Sequence, residues 1–458
     1  MSTDRPKKHK APEQREAIVA VASPPGQGGV GVVRLSGNSA LDIAERLASI
    51  SATPRLAHYV TYRHGDEVID QGLLLTFPAP NSFTGEDVAE LQVHGSPVVL
   101  QQIVSACCEL GARLALPGEF SERAFLNGKM DLAQAEAVAD LIQSASAQAA
   151  RAAVATLTGE FSTEINALAE RILKMRILVE ASIDFPEEEE DFLAQYNVLE
   201  NLQQMQSELD VILAHSKQGQ VITQGASVAL LGPPNAGKSS LLNRLAGVDA
   251  AIVTDIPGTT RDLLKVDLVL GGLPLRLIDT AGLRETDDVV EQEGINRARG
   301  QVAAADLIIV VLDLAADEPV ADQLVAVLNL AGLKAEDARL LVLGNKMDLA
   351  DAQTTQAPWI SISAKNAQGI DDLVAAIQLK AGIVQGETPY SARARHVDAL
   401  RRSAEHLDLA GRVLSAGMGG EIIAEELREA HQCLGEIVGK MTADELLGEI
   451  FSQFCIGK

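Results

Sequence analysis

The residues Gly232-Pro233-Pro234-Asn235-Ala236-Gly237-Lys238-Ser239 have the types and spacing to hold a phosphate chain. An apolar run, Val228 to Leu231, precedes them, and a helical pattern, Ser240 to Leu245, follows. Strand, Gly-rich loop, Gly-Lys-Ser and helix in that order make a P-loop. Its backbone N–H groups and the helix N-terminus cradle phosphates. Lys238 is placed to reach the β- and γ-phosphates and Ser239 to bind Mg²⁺, with Asn235, Ala236, Gly237 and Ser240 completing the loop.

Further elements follow in chain order. Thr254-Asp255-Ile256-Pro257-Gly258-Thr259-Thr260-Arg261-Asp262 reads as a switch loop. One of its threonines, Thr260 foremost, can complete the Mg²⁺ shell and sense the γ-phosphate. Asp279-Thr280-Ala281-Gly282 ends a predicted strand, with Asp279 facing Mg²⁺ through water and the Gly282 N–H facing the γ-phosphate. Asn345-Lys346-Met347-Asp348 follows a buried parallel strand. Asp348 can accept both N–H bonds of the guanine edge, a donor pair that adenine lacks. Ser363-Ala364-Lys365 follows another strand, and its backbone can meet the base oxygen. The sum is a GTP-binding and GTP-hydrolysing unit. Ras-like GTPases place a water-orienting Gln directly after the Asp-Thr-Ala-Gly element. Here that position is Leu283, so another polar group must serve: Glu285, Asp287, Asp288, Glu291 and Glu293 are the acidic candidates. No arginine finger is identifiable, and a monovalent cation could take that electrostatic role.

The elements that position these residues are legible more coarsely. At 458 residues, 47% apolar and 22% charged, the chain is globular and long enough for two or three domains. Residues 1–128 mix short strands with helices: strands at Ile18 to Ala22, Val30 to Leu35, His58 to Tyr62, Asp70 to Phe77 and Val88 to His94, and helices at Asn38 to Ser49 and Pro97 to Leu110. Gly26, Gly28 and Gly31 spell GxGxxG, but the β-branched run after them predicts a hairpin rather than a dinucleotide site. Residues 129–219 form the first helical part: Asp131 to about Ile183 is Ala-rich with helical spacing, broken at Gly159 and ended by Asp184-Phe185-Pro186. An acidic run, Glu187 to Asp191, reads as a solvated segment, and Leu193 to Ser216 is helical again. Residues 220–384 form the α/β nucleotide unit, and residues 385–458 return to amphipathic helices, the last opened by a Thr442/Glu445 capping box. The expected fold is therefore multidomain: an α+β domain, then a discontinuous all-α domain into which a Ras-like P-loop domain is inserted.

Composition narrows function as well. Lys and Arg total 38 against 63 Asp and Glu, a net charge of −25. Phosphate contact needs basic patches, so a general nucleic-acid binder is disfavoured, and any RNA substrate would be held by a local patch or a partner. The four cysteines, Cys107, Cys108, Cys433 and Cys455, form neither a CxxC pair nor a zinc spacing, which fits a reducing cytosol. Cys107 and Cys108 read as packing residues. No apolar run nears ~18 residues, so no membrane span is expected. Residues 1–15 are polar and basic without an apolar core, so no secretory signal is expected.

The whole chain, from about Glu16 to Lys458, resembles the MnmE (TrmE) family of tRNA modification GTPases. The specific matches are PPGxGGVGxxRxSG at Pro24 to Gly37, SFTGEDVxELQxHG at Ser82 to Gly95, LPGEFSERAFLNGKMDLAQAEA at Leu116 to Ala137, and Cys455-Ile456-Gly457-Lys458 at the end. The resemblance implies a cytoplasmic homodimer, joined through its N-terminal domains, that works with an FAD-dependent partner, MnmG. The complex would add an aminomethyl or carboxymethylaminomethyl group at position 5 of the wobble uridine of certain tRNAs. The one-carbon unit would come from 5-formyl-tetrahydrofolate or a related folate on the N-terminal domain, with FAD and NADH on the partner. It further implies that Glu291 activates water, that Asn235, Thr254, Ile256 and Thr259 hold K⁺, and that Arg34, Glu90, Lys129 and Lys458 bind the folate. Cys455 keeps two readings, a reactive thiol and a packing residue. The competing function is a GTP-switched ribosome or RNA assembly factor, which would carry a basic RNA-binding appendage; none is visible in the sequence.

Overall fold

The computed structural model describes residues 16–183, 196–247, 265–279, 299–350, 359–383, 389–417, 419–440, 444–452, 454–455 and 457. Thr254, Ile256, Thr259, Thr260, Thr280, Ala281, Gly282, Glu285, Asp287, Asp288, Glu291, Glu293, Thr442, Lys458 and the run Glu187 to Asp191 lie outside them. The chain forms two compact units, residues 1–139 with 435–458, and residues 140–434.

In the first unit, β1 (Ile18–Val21) and β2 (Gly28–Ser36) make the expected antiparallel hairpin, with Ile18 opposite Ser36. Gly28 and Gly31 lie inside β2 and open no helix, so the GxGxxG match is a strand bulge. α1 (Ala40–Ala48), β3 (His58–His64), β4 (Glu67–Phe77), β5 (Val88–Gly95), α2 (Pro97–Glu109), β6 (Arg113–Leu114) and α3 (Glu119–Leu126) follow. The sheet runs β3-β4-β5-β2-β1-β6. Alternate residues point to opposite faces. Val33, Leu35, Leu74 and Leu91 thus meet Ile43 and Leu47 of α1 and Ile103 of α2 in one core.

Loop 82–87 and α3 are joined by a buried ion network. Arg123 donates to Glu86 at 2.8 Å and to Glu119 at 2.8 Å, and these side chains are 4%, 5% and 7% exposed. Arg113 donates to both oxygens of Glu119, and Ser36 donates to Glu86 at 2.9 Å. At that depth an unpaired member is costly, so each charge holds the others in place. Leu132 and Ala135 of α4 (Leu132–Gln143) pack on Phe451 of α13 (Asp444–Ser452) and on Phe454. The last residues then return to the start of the sheet. The Gly118 N–H meets the Cys455 carbonyl at 3.4 Å, and Gly457 adopts φ 98° where a Cβ would strike the Val21 carbonyl.

In the second unit the helices are α5 (Ala147–Leu157), α6 (Glu160–Ile183) and α7 (Val198–Gln224), with α11 (Ala394–Ser415) and α12 (Gly420–Val438) after the α/β segment. Helix bounds differ from expectation at several points: α7 begins at Val198 rather than Leu193, α1 is shorter at both ends, and two larger differences have a clear cause. The Ala-rich stretch breaks at residues 144–146 as well as at Gly159, because Ser146 caps α5, its hydroxyl accepting the Ala149 N–H at 3.1 Å. α7 runs past Ser216 to Gln224, because buried Gln218, Gly219 and Ile222 continue its packed face.

Between α7 and α11 lies the sheet of β7 (Ala226–Leu231), β8 (Lys265–Leu270), β9 (Leu273–Asp279), β10 (Leu307–Asp313), β11 (Leu340–Asn345) and β12 (Ile360–Ser361), with α8 (Lys238–Ala246), α9 (Val320–Ala331) and α10 (Ile370–Lys380). Its order is β12-β11-β10-β7-β9-β8, parallel except for β8. β10 is buried almost throughout, as a central parallel strand covered on both faces must be. Residues 390–393 tie the helices before this insertion to those after it. The Ser391 N–H donates to the Ala152 carbonyl at 3.2 Å, Tyr390 donates to Glu164 at 2.6 Å, and Asp140 accepts from Ser391 and Arg393.

Burial alone would raise the Glu119 pKa, but hydrogen bonds from Arg113 and the Leu116 N–H and the charge of Arg123 outweigh it and hold the carboxyl below its usual range. A depressed folded pKa contributes stability above the unfolded value, about 4.3 for Glu, and loses it as pH falls through the folded value. Glu119→Gln in the full chain should therefore lower stability at neutral pH by about 3–5 kcal/mol and flatten its acid dependence. Thermal melts across the acid range check this, and parallel pH slopes for both proteins would refute it.

Candidate nucleotide-binding site

β7 ends at Leu231, and the chain then turns tightly through Gly232 at φ 147°, where a Cβ would collide with the Val311 carbonyl of neighbouring β10. Asn235 sits at φ 63°, a left-handed conformation that Asn tolerates better than most residues. Gly237, at φ 96°, precedes Lys238, the first residue of α8. The loop is thus drawn against the sheet with its N–H groups at a helix N-terminus, a cradle that fits a phosphate chain. Lys238 Nζ donates to the carbonyls of Gly232 at 2.7 Å and Pro233 at 2.9 Å, which holds the ammonium over the loop. Ala236 is buried, and Asn235, Ser239 and Ser240 are exposed. In the sheet register, Asp279 at the end of β9 lies beside Leu230 of β7, next to the loop entrance. A hydroxyl at Ser239 fits the oxygen preference of Mg²⁺.

The second half of the site is built around Asn345. Its buried Nδ2 donates to the Ala236 carbonyl at 2.8 Å, and its Oδ1 accepts the Ala364 N–H at 3.0 Å. The side chain therefore ties the phosphate loop to the Ser363-Ala364-Lys365 turn. Lys346, at φ 66°, sends Nζ to Asp313 Oδ2 at 2.5 Å, and Asp348 is exposed beside it. Ser363 pairs with Gln368 through both backbone bonds, and its hydroxyl accepts the Asn366 N–H at 3.2 Å. Arg244 of α8 donates to the carbonyls of Ala364 and Lys365. Asp313 and Arg244 were not singled out from sequence. Asp313 is the polar end of an otherwise apolar strand, a usable signal; Arg244 looks like any surface arginine on a helix.

Among the residues expected around a folate, Arg34 and Glu90 are brought together as cross-strand partners of β2 and β5, joined at 2.8 Å. The Arg34 guanidinium also lies 5.4 Å from the Phe83 ring centre and 5.9 Å from that of Phe120. Lys129 Nζ donates to the Pro80 carbonyl at 3.0 Å, on the loop that carries Phe83. Glu86, Glu119 and Arg123, which belong to the same sequence motifs, were not foreseen as a structural ion network. Cys455 is a free, exposed thiol. Cys107 is buried, and burial pushes its thiol up to about 12, in keeping with a packing role. Among the described residues no helix is long and apolar enough to cross a membrane.

Two family models match the chain: the GTP-binding protein TrmE N-terminus over residues 17–129, and the MnmE helical domain over residues 132–455. A tRNA modification GTPase MnmE from Stutzerimonas stutzeri is 50% identical over 456 residues, covering 97% of this chain and 99% of that protein. Its counterpart from Ectopseudomonas mendocina is 48% identical over 452 residues, with the same coverage. The G domain of the T. maritima FeoB iron transporter aligns at 26% identity and a TM-score of 0.26, covering 34% of this chain and 98% of that one.

Gly232→Ala should abolish nucleotide binding, because both its φ and the Val311 carbonyl exclude a Cβ. It should also destabilise the chain by about 1–3 kcal/mol. Calorimetric titration with GDP, alongside a thermal melt, checks both; near-parental GDP affinity would show that the loop is not held as described.

Proposed function

The chain belongs to the MnmE family and is a tRNA modification GTPase, and we propose that its turnover is stimulated by K⁺ and coupled to a folate-dependent modification of the wobble uridine. The observation that carries the guanine-nucleotide part is the Asn345 bridge, which holds a phosphate loop and a base-reading turn in one frame. In this reading Lys238 exchanges its loop carbonyls for β- and γ-phosphate oxygens, and Asp348 accepts the two guanine N–H groups. Ser239 and Thr260 would hold Mg²⁺, with Asp279 behind them; the ion would neutralise charge on the β- and γ-oxygens. Asn235, with Thr254, Ile256 and Thr259, would hold K⁺ where other GTPases receive an arginine. Glu291 would take the role that Leu283 cannot, orienting and deprotonating water.

The same proposal gives residues 1–128 to 5-formyl-tetrahydrofolate and to dimerisation, residues 129–219 and 385–458 to the helical domain, and residues 220–384 to GTP. Arg34, Glu90, Lys129 and Lys458 would form the folate site. Its support is the paired Arg34 and Glu90 beside two aromatic rings, a setting suited to a flat heterocycle with an acidic tail. Cys455, exposed at the end of the chain, would be available for chemistry there. FAD and NADH would enter with MnmG in a heterotetramer, which would also supply the tRNA contact that a chain of charge −25 is poorly made for. The setting is cytoplasmic. The relatives' naming as tRNA modification GTPases favours this reading over a ribosome or RNA assembly factor.

GTP turnover by the purified chain should be fast in K⁺ buffer, slow in Na⁺ buffer, and rise with protein concentration. Asn235→Ala should erase the difference between the two cations; equal turnover in both cations by the parent chain would remove the K⁺ site from the proposal. Glu291→Ala should keep GDP affinity within about twofold and lower kcat by two orders of magnitude or more, about the contribution of a general base. Persistent turnover would reassign the water-activating role. Titration with 5-formyl-tetrahydrofolate tests the N-terminal site, with Arg34→Ala expected to weaken binding and an unchanged affinity counting against the assignment.

A further inference from the structure

Arg244 lies on α8, beyond the phosphate-loop residues that begin the helix. Its guanidinium reaches across to the base-side turn, where Nε donates to the Ala364 carbonyl at 2.9 Å and Nη2 to the Lys365 carbonyl at 2.7 Å. Two donors in a rigid fork on consecutive carbonyls fix the orientation of a turn, where a single bond would leave it free to pivot. A trans peptide is planar, with C=O and N–H opposed. Holding the Ala364 carbonyl toward α8 therefore aims the Lys365 N–H the other way. The Ala364 N–H is bonded to Asn345, and the Asn366 N–H to the Ser363 hydroxyl. A cavity of about 450 Å³ opens beside the fork, lined by Ser240, Asn243, Arg244, Gly247, Ala364 and Lys365.

We infer that Arg244 is a positioning residue for base specificity, locking the peptide between Ala364 and Lys365 so that its N–H meets the O6 of guanine or hypoxanthine and not the amino group of adenine. The inference rests on the reading that residues 363–365 face the base. It differs from the role of Asn345, which ties the two loops together but leaves the peptide after Ala364 unconstrained. The fork also links the helix that begins at the phosphates to the turn that reads the base, so base identity is sensed by the element that holds the phosphate chain.

The test compares Arg244→Ala and Arg244→Lys with the parent full-length chain by calorimetric titration of GDP, IDP and ADP and by steady-state GTP turnover. Arg244→Ala should weaken GDP and IDP by the same factor, about tenfold or more for the loss of two charged hydrogen bonds, and leave ADP unchanged. KM for GTP should rise in step while kcat at saturation stays within about twofold. Arg244→Lys, which can reach one carbonyl, should fall between, and it carries the test if the alanine variant fails to fold. GDP affinity within twofold of the parent, or an equal loss for all three nucleotides, overturns the inference. Asp348→Asn serves as the independent control: it should shift preference from GDP to XDP. If it does not, the guanine reading itself fails; if it does while Arg244→Ala changes nothing, only the role of Arg244 falls.

Discussion

The side-chain amide of Asn345 is buried between two loops that the chain supplies far apart, and its donor and acceptor ends are both engaged, on Ala236 and on Ala364. A buried amide left half-bonded costs about 1–3 kcal/mol, so the two loops can move apart only at a price. That constraint ties the phosphate loop to the turn at residues 363–365. The phosphate loop is held flat by a glycine that lies against Val311, and the base turn is held by Gln368 and Arg244. Asp313 takes up Lys346.

The other unit uses a different device. Loop 82–87 and α3 are fastened by charges, with Arg123 between Glu86 and Glu119 and Arg113 behind them, in addition to the packing of Phe83 on the cluster that holds Phe120. Such a network is weak evidence for net stability, since apolar residues of similar volume often do as well. Its geometric consequence is clearer. It fixes the loop bearing Phe83 and the helix bearing Phe120, the two rings that flank Arg34. Parts of the motifs that mark this family thus serve as a scaffold for the elements around Arg34.

The helical domain shows how an insertion is accommodated. Residues 390–393 are almost wholly buried and run against α5 and α6, with Asp140 taking both Ser391 and Arg393. A domain split by an intervening α/β segment has no local sequence signal to reunite it, and these long-range bonds supply the registration. Gly219 on α7 allows the Tyr390 backbone to approach closely, because any Cβ there would collide with the Tyr390 carbonyl.

By itself the sequence determined the features whose physics is local. The phosphate loop, the strand ends carrying Asp279 and Asn345 to Asp348, the hairpin hidden behind a GxGxxG spelling, and the switch from strand to helix periodicity each follow from neighbouring residues. So does the family, through contiguous motifs. The tertiary structure alone decided which distant residues meet. Arg34 pairs with Glu90 across 56 positions, Asn345 with Ala236 across 109, and Arg244 with Ala364 across 120. Sheet order and helix packing set those partnerships, and neither leaves a trace in the spacing of adjacent residues. The same reason explains where α5 starts and where α7 ends. α7 continues to Gln224 because its face stays packed, and α5 starts anew because Ser146 finds a backbone donor, outcomes settled by burial and bonding rather than by propensity.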